Sequence, residues 1–211
     1  MPNHKQLVQR LLQCAGTTYA EQAGIRLRNK PMPLFQLLVL CMLASKPIGA
    51  AIAACAAREL FKIGLRTPRT VLAAERHTLI GAFGRAHYVR YDESSATRLV
   101  NIAVAAQEHY RGDLRVLAVH SGHNVADAIE LLKGFAGIGD TGARIYLREV
   151  QDVWTWVRPA FDDRALAAAR DLGLPADARQ LGALSPDSNA ALAVALIRAS
   201  LDASVRSQVT A

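Results

Sequence analysis

The sequence predicts an all-α protein. Apolar residues recur at helical spacing in almost every segment, and proline and glycine stand where helices begin and end. The alternation that marks a strand is nearly absent: residues 115–120 alone could form one, and that segment is too short and isolated to build a sheet. We therefore expect helices along the whole chain.

Each helix is predicted from its apolar positions and its ends. The first helix carries Leu7 and Leu11 on one face, and Pro31 and Pro33 then open a second helix that runs to about Leu43. The rest of the chain is predicted as a broken, glycine-containing region at 81–88 and as helices over about residues 49–63, 67–74, 92–110, 125–133, 141–152, 162–172 and 186–205.

Length and composition indicate a chain that folds completely. The 211 residues are 51% hydrophobic and 20% charged, which suffices for one domain or two small ones and leaves no long disordered tail. The longest apolar stretch, 34–57, is interrupted by Ser45, Lys46 and Pro47, whereas a membrane helix needs about 20 uninterrupted apolar residues. We expect two buried helices there, and no membrane partner.

The charge balance favours a polyanionic partner. Lysine and arginine number 25 against 18 acidic residues, for a formal net charge of +7. Arginine dominates, and its planar fork binds phosphate but cannot act as an amine nucleophile. The three cysteines lack metal-ligand spacing, and the first ten residues lack the features of a signal peptide. We therefore expect a protein of the reducing cytoplasm.

The most informative segment is a glycine-rich turn between two predicted helices. Gly137, Ile138 and Gly139 join them, so that glycine permits positive φ and leaves backbone amides uncovered at the start of the second helix. Free amides and the positive end of a helix dipole together bind phosphate. The alternative is an ordinary connection whose glycines only relieve crowding.

Three segments resemble the helix-hairpin-helix DNA glycosylases of the endonuclease III type. The family's hairpin, Leu-Pro-Gly-Val-Gly-Arg-Lys-Thr-Ala, is similar to 135–143; its first barrel helix, beginning Pro-Phe-Glu-Leu-Leu, is similar to 35–46. The family segment that begins Val-Asp-Thr-His-Val aligns without a gap with 161–174. The three matches occur in the family's order along the chain.

The resemblance implies a division into two helical domains with a cleft between them. Residues 33–151 would form a helical barrel that carries the helix-hairpin-helix at about 125–152. The second domain would combine 1–32 with 152–211, because both termini contribute to it. No cysteine follows Cys55, so the iron–sulfur cluster of many relatives is predicted to be absent. No other metal or cofactor is expected, although a monovalent cation at the hairpin is compatible with the resemblance.

The resemblance also places the family's catalytic carboxylate at Asp162. Cleavage of an N-glycosidic bond develops positive charge on the sugar, which a fixed carboxylate stabilises. The alternative is that Asp162 only caps the helix that begins there. Bifunctional relatives carry a hairpin lysine where this chain has Thr141, and a hydroxyl cannot form the imine that β-lyase chemistry requires.

The predicted activity is therefore that of a monofunctional DNA glycosylase, which hydrolyses the bond to a damaged or mispaired base. The alternative is a catalytically silent module that recognises damaged or distorted DNA. A third interpretation is a helical protein whose basic charge only aids solubility. For the first two we expect a monomer associated with the nucleoid, bound to double-stranded DNA, with the target base flipped out of the stack in the catalytic case.

The remaining site residues are assigned to two groups. The residues predicted to contact the DNA backbone are Gly137, Ile138, Gly139, Thr141 and Lys133. Those predicted to line the lesion or base pocket are Lys46, Tyr146, Trp154 and Trp156. The alternatives are a solvated charge at a helix end for Lys46 and a place in the hydrophobic core for the aromatic residues.

Overall fold

The structure, a computed structural model, describes residues 4–210. Within that range the chain is helical and contains no strand, which confirms the all-α fold class. The α-helices are α1 (His4–Ala15), α2 (Tyr19–Gln22), α3 (Pro31–Ala44), α4 (Ala50–Lys62), α5 (Pro68–Leu72), α6 (Arg76–Arg85), α7 (Asp92–Tyr110), α8 (Arg115–His120), α9 (Val125–Lys133), α10 (Asp140–Val150), α11 (Asp163–Asp171), α12 (Ala178–Ala183), α13 (Asn189–Leu201) and α14 (Ala203–Thr210). None of these helices is both long and apolar enough to cross a membrane.

The chain divides into two compact units. One comprises 19–146, and the other combines 4–18 with 147–210. We call them the hairpin unit and the terminal unit. The domains predicted from the sequence are 33–151 and 1–32 with 152–211. They differ from the two units in the placement of 19–32 and 147–151, and they stay predictions.

Helix α3 forms the centre of the hairpin unit. Every residue from Pro33 to Leu43 is buried, as expected of a helix that is apolar on all sides. It packs against α4 and α7. Tyr88 is fully buried, and its hydroxyl donates a hydrogen bond of 3.2 Å to the Leu43 carbonyl. The segment after α6 is thereby fixed to the end of α3.

The terminal unit has its own hydrophobic core. Helices α1, α11 and α14 pack against α13, which is buried along most of its length because alanine, valine and leucine occupy most of its positions. Arg198 joins the two chain segments of this unit: its Nη1 donates to the Ala15 carbonyl at 2.7 Å and also to the Thr17 carbonyl. The residues that end α1 are thus held by a helix almost two hundred positions later.

Two sequence predictions of local structure are wrong. The region at 81–88 is largely helix α6, because burial of Leu79 and Phe83 outweighs the weak helix propensity of its glycines. Residues 115–120, a segment too short and isolated for a strand, form helix α8. The last predicted helix is two helices, since the Asp202 carboxylate accepts the Ser204 amide at 2.8 Å and starts α14 afresh.

Candidate nucleic-acid interface and carboxylate site

The glycine turn lies between two well-defined helices of the hairpin unit. Asn124 caps the start of helix α9: its Oδ1 accepts the amides of Ala126 at 2.8 Å and Asp127 at 3.2 Å. Residues 134–139 then turn the chain into α10. The helix-hairpin-helix expected at about 125–152 therefore has local residues that determine where it starts and turns.

Steric contacts restrict one glycine of the turn and leave the other open. Gly137 has φ +84°, and a Cβ there would lie 2.8 Å from Cδ of Arg98 and 3.3 Å from Cγ of Met42. Only glycine satisfies both the backbone conformation and the space. A Cβ on Gly139 would meet nothing within 4 Å, and its φ lies outside the left-handed region. The Gly139 side of the turn is open to solvent.

Backbone amides remain available on that open side. The Ile138 amide donates to the Phe135 carbonyl at 3.0 Å, and the Ile138 side chain is buried. The amides of Gly139 and Asp140 donate to no acceptor within residues 4–210, and both residues are exposed, as is Thr141. These donors lie at the positive end of α10, an arrangement that can hold an anion.

The lysine next to this turn forms ion pairs with two carboxylates. Lys133 Nζ lies 3.1 Å from Glu130 Oε1 and 3.1 Å from Asp140 Oδ1. The hydrogen bond to Glu130 and, to a smaller extent, the one to Asp140 raise the pKa of Lys133. Glu130 and Asp140 therefore compensate much of the positive charge that Lys133 could offer to a phosphate at the turn.

Two further cations lie over an aromatic ring, and a third lies beside the glycine turn. Lys46 Nζ and Arg90 Cζ each lie 5.3 Å from the centroid of the Tyr91 ring, within cation–π range. Arg98, on α7, packs its Cδ beside Gly137. Burial, and then the positive charge of Arg98, lower the pKa of Lys46.

We call Lys46, Arg90 and Arg98 the basic cluster. In the part of the chain that the structure describes, no carboxylate oxygen lies within 4.0 Å of any of the three. Three like charges gathered without a counter-charge create a positive surface that a polyanion would neutralise. Sequence reasoning singled out only Lys46, because Arg90 and Arg98 belong to other segments and to no motif.

The predicted pocket aromatics differ in their exposure. Tyr146 is fully buried, its hydroxyl donates to the Leu34 carbonyl at 3.5 Å, and burial raises the pKa of its phenol well above the usual value. Trp154 is buried and stacks on Trp156, with ring centroids 5.6 Å apart. Trp156 is partly exposed. Of these three rings, that of Trp156 has surface that another molecule could contact.

Asp162 has both carboxylate oxygens engaged inside the terminal unit. Its Oδ1 accepts the Ala165 amide at 2.9 Å and caps α11. Its Oδ2 accepts a hydrogen bond of 3.0 Å from Nη1 of Arg148, whose side chain is only 6% exposed. The Asp162 side chain itself is 25% exposed. The capping contact considered from the sequence is present, and a catalytic role for Asp162 stays a prediction.

A polar network holds the loop that leads to Asp162. The Gln151 side chain is buried, donates to the Ala160 carbonyl at 3.0 Å and accepts the Ala160 amide at 2.8 Å. Arg158 pairs with Asp152 at 2.7 Å, and Asp152 Oδ2 accepts the Ala190 amide at 3.0 Å at the start of α13. The carboxylate site therefore depends on contacts that no short sequence motif predicts.

A metal site is not evident. Among residues 4–210, no group of three or more histidine, cysteine, aspartate or glutamate side chains is placed to hold an ion. Cys14 is exposed, Cys41 is buried and Cys55 is partly buried. The absence of an iron–sulfur cluster stays a prediction.

Comparison with known proteins gives one structural similarity. No protein-family model matches the sequence, and a search of curated proteins finds no match. Among solved structures, the chain is similar to a trapped covalent intermediate of endonuclease III with DNA, described as an estranged-adenine complex. The TM-score is 0.49 and the identity 16%, over 94% of this chain and 86% of that one. A similarity at this level does not assign a function.

Proposed function

We propose that this protein binds double-stranded DNA through the basic cluster and the open side of the glycine turn. The observation that carries the proposal is the gathering of Lys46, Arg90 and Arg98 without a carboxylate partner. Arg98 packs against Gly137, so the cations and the amide donors of the turn are neighbours. Cations supply most of the affinity for a phosphate backbone, and amides at a helix start hold single phosphates.

The triple variant Lys46→Ala, Arg90→Ala, Arg98→Ala tests this proposal. We expect its affinity for a duplex to fall more than tenfold, and the slope of log K against log salt to decrease by about 2–3, because about one counterion is released per neutralised phosphate. Fluorescence anisotropy with a labelled duplex at several salt concentrations measures both.

A matched control removes the same charge from other surfaces. Arg10, Arg28 and Arg69 are exposed residues outside the basic cluster, and their triple alanine variant has the same net charge. Equal losses of affinity in the two triple variants would show that total charge, and not the basic cluster, governs binding. Duplex binding that does not depend on salt would contradict the proposal altogether.

A second candidate function is hydrolysis of the N-glycosidic bond to a damaged or mispaired base. The observation that favours it is the fixed, quarter-exposed carboxylate of Asp162. A cation-like sugar requires such a group beside it. Arg148 argues against it, because its guanidinium already compensates the charge that would stabilise the sugar. The pair supports binding without cleavage over hydrolysis.

A panel of duplexes with single lesions decides between the two functions. Hot alkali converts any abasic product into a strand break, and Asp162→Asn removes the charge while keeping a residue that can cap α11. Base release that is lost in Asp162→Asn would establish hydrolysis; no release from any duplex that binds would establish the silent module. Borohydride should trap no covalent adduct at the hairpin, since Thr141 carries no amine.

A further inference from the structure

The hairpin unit carries a second basic surface, formed by elements other than the glycine turn. A cleft of about 340 Å³ opens beside the first two turns of α3 and the last turns of α4. Its volume lies in the range of small-molecule sites. The residues that line it and matter for the argument are Arg26, Met32, Gln36, Arg58, Phe61 and Arg66.

Gln36 is the unusual residue of this cleft. It is only 6% exposed and lines the cleft, and its amide is not among the fully enclosed polar groups that lack a partner within residues 4–210, so solvent in the cleft reaches it. A carboxamide offers two donors and an acceptor in one plane, so this side chain is suited to a planar ligand with a complementary edge.

Three arginines supply positive charge around that carboxamide. Arg58 donates to the Gln22 carbonyl, and Arg66 Nε donates to the Phe61 carbonyl at 2.7 Å. Carbonyl oxygens orient these guanidinium groups without cancelling their charge. Like Arg26, neither has a carboxylate oxygen within 4.0 Å in the described part of the chain.

The rest of the lining is apolar apart from Lys62, whose Nζ pairs with Glu59 Oε1 at 2.7 Å. Met32 is 43% exposed, which is high for a large apolar side chain, and Phe61 forms part of the wall. Such a surface can cover the face of a flat ring. The cleft therefore combines cations for an anion, an amide for an edge and an apolar wall for a ring.

We infer that this cleft binds a nucleoside monophosphate, with the phosphate at Arg26, Arg58 and Arg66 and the base edge at Gln36. The ligand chemistry is shared by a free mononucleotide and by the 5′-phosphorylated terminal nucleotide of a DNA strand. The inference does not rest on the proposed DNA contacts of the hairpin, because the cleft is lined by none of the residues of the basic cluster.

Calorimetry of the full chain with dAMP, inorganic phosphate and deoxyadenosine tests the inference. We expect dAMP to bind at least tenfold more tightly than either fragment, because only dAMP engages both the arginines and Gln36. Gln36→Glu keeps the shape but places a negative charge in the cleft, and Arg26→Glu reverses an exposed charge; each should weaken dAMP binding more than tenfold. Arg28→Glu, an exposed neighbour outside the lining, is the matched control and should leave it unchanged.

Two oligonucleotides separate the sources of the ligand. If a 5′-phosphorylated strand displaces dAMP and its 5′-hydroxyl counterpart does not, the cleft takes a strand end; if neither displaces dAMP, it takes the free nucleotide. No heat of binding at millimolar dAMP, equal affinity for inorganic phosphate, or full binding by Arg26→Glu would each overturn the inference. The triple variant of the basic cluster should keep its dAMP affinity, so failure of DNA binding is distinguishable from failure here.

Discussion

Two arginines of the terminal unit and two of the hairpin unit are used in opposite ways. In the terminal unit, Arg148 and Arg158 each have an aspartate oxygen within 3.0 Å, and both support the loop that ends at Asp162. In the hairpin unit, Arg90 and Arg98 have no carboxylate within 4.0 Å in the described residues and gather around an aromatic ring and a glycine turn. Paired cations hold the fold in place, whereas cations without a counter-charge remain available to a partner.

The largest effect is expected for the arginines that pair with carboxylates in the terminal unit. Arg148→Met should lower the free energy of unfolding by about 3 kcal/mol, because removing one member of a mostly buried ion pair leaves the other uncompensated. Urea denaturation measures the loss. Arg164→Met, at an exposed position of α11, is the control and should change the free energy by less than about 0.5 kcal/mol. Equal effects of the two substitutions would show that Arg148 is not structural.

A smaller effect is expected at the glycine turn. Gly137→Ala should lower the free energy of unfolding by about 2 kcal/mol, because the residue has φ +84° and its Cβ would meet Arg98 Cδ at 2.8 Å. Gly139→Ala is the matched control, since its Cβ meets nothing within 4 Å. Thermal unfolding followed by circular dichroism ranks the two variants. The reverse ranking would contradict the described turn.

The smallest effect concerns the carboxylate at the start of α10. Asp140→Asn should raise duplex affinity about two- to fivefold, because a negative charge at a helix start competes with phosphate for the same positive end. Fluorescence anisotropy detects such a change. Asp127→Asn, an exposed acidic residue in the first turn of α9, removes the same charge away from the turn. An equal gain in that control would attribute the effect to net charge.

The sequence predicted the bounds of a helix well where residues that start and end helices stand at both of its ends. The helices predicted at 92–110 and 125–133 are present with those bounds as α7 and α9, since their apolar positions and end residues lie within the segment. Gly81 and Gly84 misled because propensity is local, whereas burial of Leu79 and Phe83 comes from neighbours elsewhere in the fold.

Some residues of the candidate site could likewise be predicted from local sequence, and others could not. The glycine turn could be recognised from consecutive residues, and Asp162 from its place at a helix start. Arg148 could not, because its partner lies beyond a loop that Gln151 clamps. Arg98 reaches Gly137 from a helix about forty positions earlier, and no periodic pattern links the two.

Both tryptophans of the chain, Trp154 and Trp156, stack on each other within the terminal unit. Emission excited selectively in tryptophan therefore reports on that unit alone, and the hairpin unit is silent in the same experiment. Unfolding curves from fluorescence and from circular dichroism would coincide if the two units unfold together and separate if they do not. The indole pair is thus a built-in optical probe of cooperativity between the two halves of the molecule.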